Sequence, residues 1–184
     1  MDLVAPSVNY LPSYIAALRA GWSGDNIRGA AAAAEELEKI DADPNRFLAS
    51  LHDREARGDP IKLPDGSTAA RIPGYNLWMW DGEFCGDIGF RWVPGTSALP
   101  LHVLGHVGYS VVPWKRGRGY ATQALKEILP AARNERLQFV EITTDADNLA
   151  SQRVIMSAGG VLIEHFKKPD VYGGAQSLRF RIFL

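Results

Sequence analysis

Apolar residues in the first third of the chain recur at helical spacing. Pro12 opens a segment with Tyr14, Ile15 and Leu18 on one face, and Gly21 stands where a helix ends. The run Ala30 to Ala34, followed by Glu35, Glu36, Leu37, Glu38, Lys39 and Ile40, has high helix propensity, and Glu35 with Lys39 makes a favourable i,i+4 pair. Its three glutamates are expected on a solvated face. Asp43 caps a third helix with Pro44 at its first position, Phe47, Leu48 and Leu51 as its stripe and Gly58 after its last turn. A loop with Pro60, Pro64, Asp65, Gly66 and Pro73 follows.

From Tyr75 the period changes to two. Trp78 and Trp80, the turn Asp81-Gly82 and the run Phe84 to Val93 read as an antiparallel hairpin. The segment 94–100 is a loop and 102–112 a third strand. Helical spacing returns over 119–133 with Ala121, Ala124, Leu125, Ile128 and Ala132 on one side, and Pro130 is expected to kink or tighten the end of that helix. Phe139 to Thr143 reads as a buried strand, Leu149 to Ala158 as a helix closed by Gly159-Gly160, and 161–165 and 177–183 as the last two strands. Helices followed by β-β-β-α-β-α-β-β predict an α/β (α+β) fold in one domain, 1–184. The helical part spans 1–60, and the mixed sheet of 75–184 has parallel third and fourth strands because a helix connects them.

Composition narrows the chemistry. The 184 residues are 46% apolar, enough for one core, and 20 Lys plus Arg against 21 Asp plus Glu give no electrostatic reason to bind nucleic acid or an anionic membrane. A single cysteine, Cys85, excludes an internal disulfide and a thiolate metal cluster; no metal site is expected. No run approaches the roughly 20 apolar residues that span a bilayer, and the start Met1-Asp2-Leu3 has no secretion-signal pattern, so a reducing cytoplasm is the expected compartment.

The most informative stretch is Pro113-Trp114-Lys115-Arg116-Gly117-Arg118-Gly119-Tyr120-Ala121, a glycine-containing turn that feeds a helix start. Free backbone N–H groups at a positive helix end form an anion site. Gly117 and Gly119 let phosphate oxygens reach the backbone, and Lys115, Arg116 and Arg118 add charge suited to a pyrophosphate.

Arg116-x-x-Gly119-x-Ala121 after a strand resembles the acyl-CoA motif of the GNAT superfamily of N-acetyltransferases, and Asn148-x-x-Ser151 opening a helix that ends at Gly159 resembles its second cofactor-contacting motif. Residues 75–184 carry the likeness. Together with Gly105-His106-Val107-Gly108-Tyr109, they are closest to a bacterial subgroup of uncharacterised predicted acetyltransferases. The resemblance implies a mostly antiparallel sheet whose central parallel strands splay, flanked by helices. It implies acetyl-CoA as cofactor, held by Arg116, Gly117, Arg118, Gly119, Tyr120 and Ala121. Backbone groups of Ser110, Val111 and Val112 would pair with the pantetheine arm and polarise the thioester carbonyl, Asn148 would contact the pantetheine, and Ser151 the phosphate side. The partner is a small-molecule or peptide amine, together with, at most, a second copy of the chain as a homodimer.

Attack by an amine requires loss of a proton. On an extended strand His106 shares a face with Gly108 and Ser110, and its ordinary pKa of about 6.5 suits a general base; His102 and Glu141 are alternatives. The family often places a Tyr seven residues after the Asn to protonate the departing thiolate, whereas Ile155 stands here, leaving Ser110, Tyr109, Tyr120 or solvent. Two other readings compete. A degenerate member would bind acyl-CoA as a regulatory module. A dinucleotide oxidoreductase is a poorer fit, since Thr122 occupies its third small-residue position and basic residues crowd the turn.

Overall fold

The computed structural model describes residues 1–63 and 66–184; the loop positions Pro64 and Asp65 lie outside the described residues. The chain opens with a short strand, β1 (Asp2–Val4), and then three helices, α1 (Leu11–Arg19), α2 (Ala30–Ala42) and α3 (Pro44–Ser50). Two-residue strands β2 (His52–Asp53), β3 (Ile61–Lys62) and β4 (Thr68–Ala69) lead to the hairpin β5 (Gly74–Trp80) and β6 (Phe84–Arg91). Next come β7 (Val107–Val111), α4 (Tyr120–Asn134), β8 (Phe139–Asp145), α5 (Leu149–Ser157), β9 (Val161–Lys167) and β10 (Gln176–Phe183). No described helix is long and apolar enough to cross a membrane.

Among the described residues, eight of the ten strands form two hydrogen-bonded units, and β3 pairs with β4 in a third. One runs β1-β5-β6-β7 with β2 also on β5; the other runs β8-β10-β9, and every ladder in both is antiparallel. One face of the first unit, with Tyr75, Met79, Ile88 and Phe90, packs on Ala124, Leu125 and Ile128 of α4 in a core shared with β8 and β10. The other face carries Trp78 and Phe84, which pack against Leu11, Tyr14 and Leu18 of α1 and against Trp22. Trp78 stacks on Tyr14 with ring centroids 4.5 Å apart. Period-two burial in β5 and β6 thus serves both faces, with α4 on one and the N-terminal helices on the other.

Several expectations need correction. The strand predicted from 102 starts at Val107, because Leu101 and His102 form a turn closed by Val103 N donating to Pro100 O. The predicted parallel neighbours β7 and β8 form no ladder. They meet just before β7 and at the third residue of β8, where His106 N donates to Glu141 O at 2.7 Å, and beyond that root no ladder joins them among the described residues. The third helix starts as predicted, with Asp43 accepting from Arg46 N, but ends at Ser50, since Asn76 N takes the Leu51 carbonyl and His52 and Asp53 pair with β5. β1 was not predicted; three residues are too few to show a period. Pro130 leaves α4 unbroken to Asn134 because it sits in the last turn and a half, where it costs one hydrogen bond.

A β-bulge between Met79 and Trp80 accompanies Gly86, whose φ is +151°. A Cβ there would stand 2.1 Å from the Ser110 carbonyl oxygen. Gly86→Ala is therefore expected to lower stability by more than about 2 kcal/mol in urea unfolding; a change within about 0.5 kcal/mol would show that β6 and β7 are not in this close contact.

Candidate active site

The divergence of β7 from β8 opens a cleft of about 940 Å³, which falls in the range of ligand sites. The loop 115–122 and the start of α5 line one side of it. Tyr14, Glu36, Trp78 and Asp87 line the other.

On the first side the backbone sets the geometry. Gly117 and Gly119 have φ of +76° and +79°, left-handed values that an L side chain resists, and Gly119 is the N-cap of α4. The first intrahelical bond runs from Gln123 N to Gly119 O, so among the described residues the amides of Gly117 to Thr122 have no partner, and these residues line the cleft. Arg116 Nε donates to Val111 O at 3.1 Å, which ties the loop to the end of β7.

Lys115 is spent elsewhere. Its ammonium donates to Asp81 at 2.9 and 3.1 Å and lies 3.3 Å from Glu83, while the Tyr120 hydroxyl donates to Asp81 at 2.7 Å. Hydrogen bonds from Lys115 and then Tyr120 hold the Asp81 carboxyl well below the usual carboxylate range. The Asp81-Gly82 turn thus props the loop, and the cations left for a phosphate are Arg116 and Arg118, the latter half-exposed and 3.9 Å from Asp81.

Along β7 the groups alternate. Val112 N donates to Cys85 O at 2.9 Å and Arg91 N donates to His106 O at 2.9 Å. With Ser110 opposite Asp87 and Gly108 opposite Gly89 in the same register, the main-chain groups of Gly108, Ser110 and Val112 point to β6. Those of Val107, Tyr109 and Val111 point into the cleft. The main-chain groups of Ser110 and Val112 are thus turned from the cleft. Of the three residues predicted to pair with an extended ligand, Val111 presents an amide that is free among the described residues, its carbonyl being taken by Arg116 Nε, with Tyr109 beside it. The Ser110 hydroxyl accepts from Trp22 Nε1 at 3.1 Å. The Tyr109 hydroxyl lies 2.8 Å from Ser151 Oγ, across the cleft, and burial pushes it up to about 12. Asn148, rather than Asp147, caps α5 by accepting from Ser151 N at 3.0 Å. Ile155 is fully buried.

His106 does not line the cleft. Its Nδ1 accepts from Glu141 N at 2.9 Å, and its buried Nε2 has no partner among the described residues. Burial, with the charge of Arg91 adding and that of Glu141 opposing, lowers it to about 4. It stands as a buried clamp at the strand root, away from the cleft lining where a base acting on a bound amine would be placed.

The titratable groups that do face the cleft went unnoticed in the sequence. Asp87 on β6 accepts from Asn76 Nδ2 at 3.2 Å and is partly exposed where it lines the cleft; burial, reinforced by the nearby Glu36 carboxylate, raises it to about 7. Glu36 is not on a solvated face. It accepts from the Tyr14 hydroxyl, and its carboxyl too is raised by burial. One signal for Asp87 was present: it is the sole acid in the otherwise apolar run Phe84 to Phe90.

The profile of the acetyltransferase (GNAT) domain matches residues 30–161. No curated protein matches the sequence. Among solved structures, the fold is similar to that of the ribosomal-protein α-N-acetyltransferase RimL in complex with coenzyme A, at 14% identity and a TM-score of 0.63 over 99% of this chain and 93% of that one. It is also similar to a spermidine N-acetyltransferase chimera from Vibrio cholerae and a second enzyme, at 12% identity and 0.60 over 100% and 96%. A microcin self-immunity acetyltransferase in complex with acetyl-CoA and AMP superposes at 12% identity and 0.59 over 99% and 91%.

The clamp makes a pH prediction. Because the folded value of His106 lies below the unfolded one, the unfolded chain takes up the proton first as pH falls from about 6.5 towards 4, and stability drops across that window. Asp87, raised in the fold, acts in the opposite sense, so the comparison must be with a variant. Urea midpoints of His106→Asn are expected to fall less steeply than wild type between pH 6.5 and 4; parallel curves would mean that His106 is not held neutral.

Proposed function

Because this chain belongs to the GNAT acetyltransferase family, we propose where acetyl-CoA binds on it and which side chains move the protons of acetyl transfer. It is an acetyl-CoA-dependent N-acetyltransferase that acts on an amine. The pyrophosphate is held by the amides of Gly117 to Ala121 and by Arg116 and Arg118, an assignment supported by six successive unpartnered amides at a helix start. The pantetheine arm lies in the wedge as an added strand against Tyr109 and Val111, with Asn148 and Ser151 at its far edge. The family neighbours bound to coenzyme A and acetyl-CoA support the donor, and their amine acceptors support the class of acceptor.

Asp87 is the general base. The observation that carries this is a carboxylate raised to about 7, enclosed in the cleft and opposite Ser110 on β7. The amine nitrogen forms a bond to the thioester carbonyl carbon while the C–S bond breaks, and the proton it loses passes to Asp87. Tyr109, kept protonated by its raised value and oriented by Ser151, supplies a proton to the departing sulfur. Glu36 and Tyr14 position Asp87 and the acceptor.

With a saturating donor, kcat/KM should rise through about pH 7 as Asp87 ionises, apart from any higher limb of the acceptor amine, and Asp87→Asn should lower it by about a hundredfold or more and abolish that limb. A limb that survives in the variant would remove Asp87 from the mechanism. Arg116→Glu should weaken coenzyme A binding by at least about tenfold in calorimetry, since it sets a like charge against phosphate; unchanged affinity would move the pyrophosphate off this loop.

A further inference from the structure

One charged group in the cleft has no role so far. Arg91 ends β6, and among the described residues it has no hydrogen bond and no ion pair from its side chain. Asp87, Gly89 and Arg91 project on the same face of β6, as alternate residues do. Opposite Gly89 stand Asn76 on β5 and Gly108 on β7. The middle of this face is therefore a shallow trough over two glycines, with the Asn76 amide lying 3.2 Å from where a Cβ at Gly89 would stand, a carboxylate at one end and a guanidinium at the other. The four residue steps from Asp87 to Arg91 span about 13 Å of strand. The arginine leans back over the trough: a Cβ at Gly108 would stand 3.3 Å from its Nη2, which brings the cation to the level of Gly89, about 7 Å along the strand from Asp87.

Resting on the acetyl-transfer reading above, we infer that the acceptor is an amine that carries a carboxylate one or two carbons from its nitrogen, in the manner of an α- or β-amino acid, with the carboxylate paired to Arg91. The spacing is that of a hydrogen bond from nitrogen to Asp87, the short span of the amino acid, and a charge-assisted contact from its carboxylate to the guanidinium, each contact being about 2.7–3 Å. A simple monoamine would leave Arg91 unmatched. A polyamine would place a second cation beside it, at an electrostatic cost. Beyond Arg91 the trough continues into a second cavity of about 400 Å³, which shares Leu51, Asn76, Gly89 and Arg91 with the cleft and is lined further by Ile61, Leu63 and Ile72 together with Asp53 and Arg71. That cavity receives the side chain of the acceptor, and its mixed lining admits an apolar or a polar one.

The test uses matched pairs that differ only in the carboxylate: alanine and ethylamine, leucine and isoamylamine, phenylalanine and phenethylamine. Release of free thiol from acetyl-CoA is followed for each, and binding to the coenzyme A-saturated protein is followed by thermal shift. Wild type is expected to favour the amino acid of at least one pair by tenfold or more in kcat/KM, and to be stabilised by it more than by its amine. Arg91→Met should bring that ratio to about one, and Arg91→Lys should restore part of it. Equal use of both members of every pair by wild type, or a ratio that Arg91→Met leaves unchanged, overturns the inference. If no amine releases thiol, the acetyl-transfer reading fails, and the thermal shifts alone decide this one: no preference for any amino acid over its amine refutes it.

Discussion

The site depends on a root of three hydrogen bonds. His106 N donates to Glu141 O, Glu141 N donates to His106 Nδ1, and Arg179 reaches the Leu104 carbonyl at 3.1 Å. Beyond this root each strand turns to its own sheet, β7 to β6 and β8 to β10. Two backbone edges then face each other unpaired in the interior, where unmade hydrogen bonds are costly. An extended ligand can fill such a gap, and a side chain of the protein cannot do so without closing it. The root must also stay neutral at the imidazole, because a protonated Nδ1 has no lone pair to accept from Glu141 N. Burial favours that neutral form, and it also sets His106 apart from the side chains that line the cleft.

Charge is divided across β7. The face towards α5 offers amides and the guanidinium groups of Arg116 and Arg118, while the face towards α1 and α2 offers Asp87 and Glu36. An anionic donor is drawn to one half and discouraged from the other, and a cationic amine is sorted the opposite way. Each of the two carboxylates is made harder to ionise by burial, and Asp87 further so by Glu36. The Tyr14 hydroxyl offsets part of this cost at Glu36 by donating to it, which makes the first helix a working wall of the site as well as a cover for Trp78.

What was legible in the sequence was local. Gly117-x-Gly119 with flanking arginines, the Asp43 cap and the Asp81-Gly82 turn each express a preference within a few residues, and each is found in the fold. The acceptor side is assembled from α1, α2, β5 and β6, so no window of sequence contains it. Glu36 is hidden among Glu35 and Glu38 because helix rotation turns one of the three inward, and which one depends on Tyr14, 22 residues away. Lys115 looked like a phosphate ligand by formal charge, but Asp81, 34 residues earlier, claims it. His106 was misplaced because the strand was read from 102; the turn at Leu101 and His102 lets the chain pass beneath β8 before the ladder begins at Val107.

Ile155 explains how the donor side can dispense with a helix-borne acid. It is fully buried, and a Cβ at Gly160 would meet its Cγ2 at 2.4 Å, so the position is committed to packing α5 on its own C-terminal turn. A hydroxyl at that point would lack room and a partner. The phenol of Tyr109 reaches the first turn of α5 from the opposite wall and is fixed there by Ser151. Since Tyr109 also turns its main chain into the wedge, a single residue of β7 sets both the register of the pantetheine arm and the place of the proton donor in the proposed mechanism. A thiol with a pKa near 8.5 departs readily as its thiolate, so in that mechanism a phenol raised to about 12 serves mainly by holding a hydrogen bond to the sulfur, for which its fixed position matters more than its acidity.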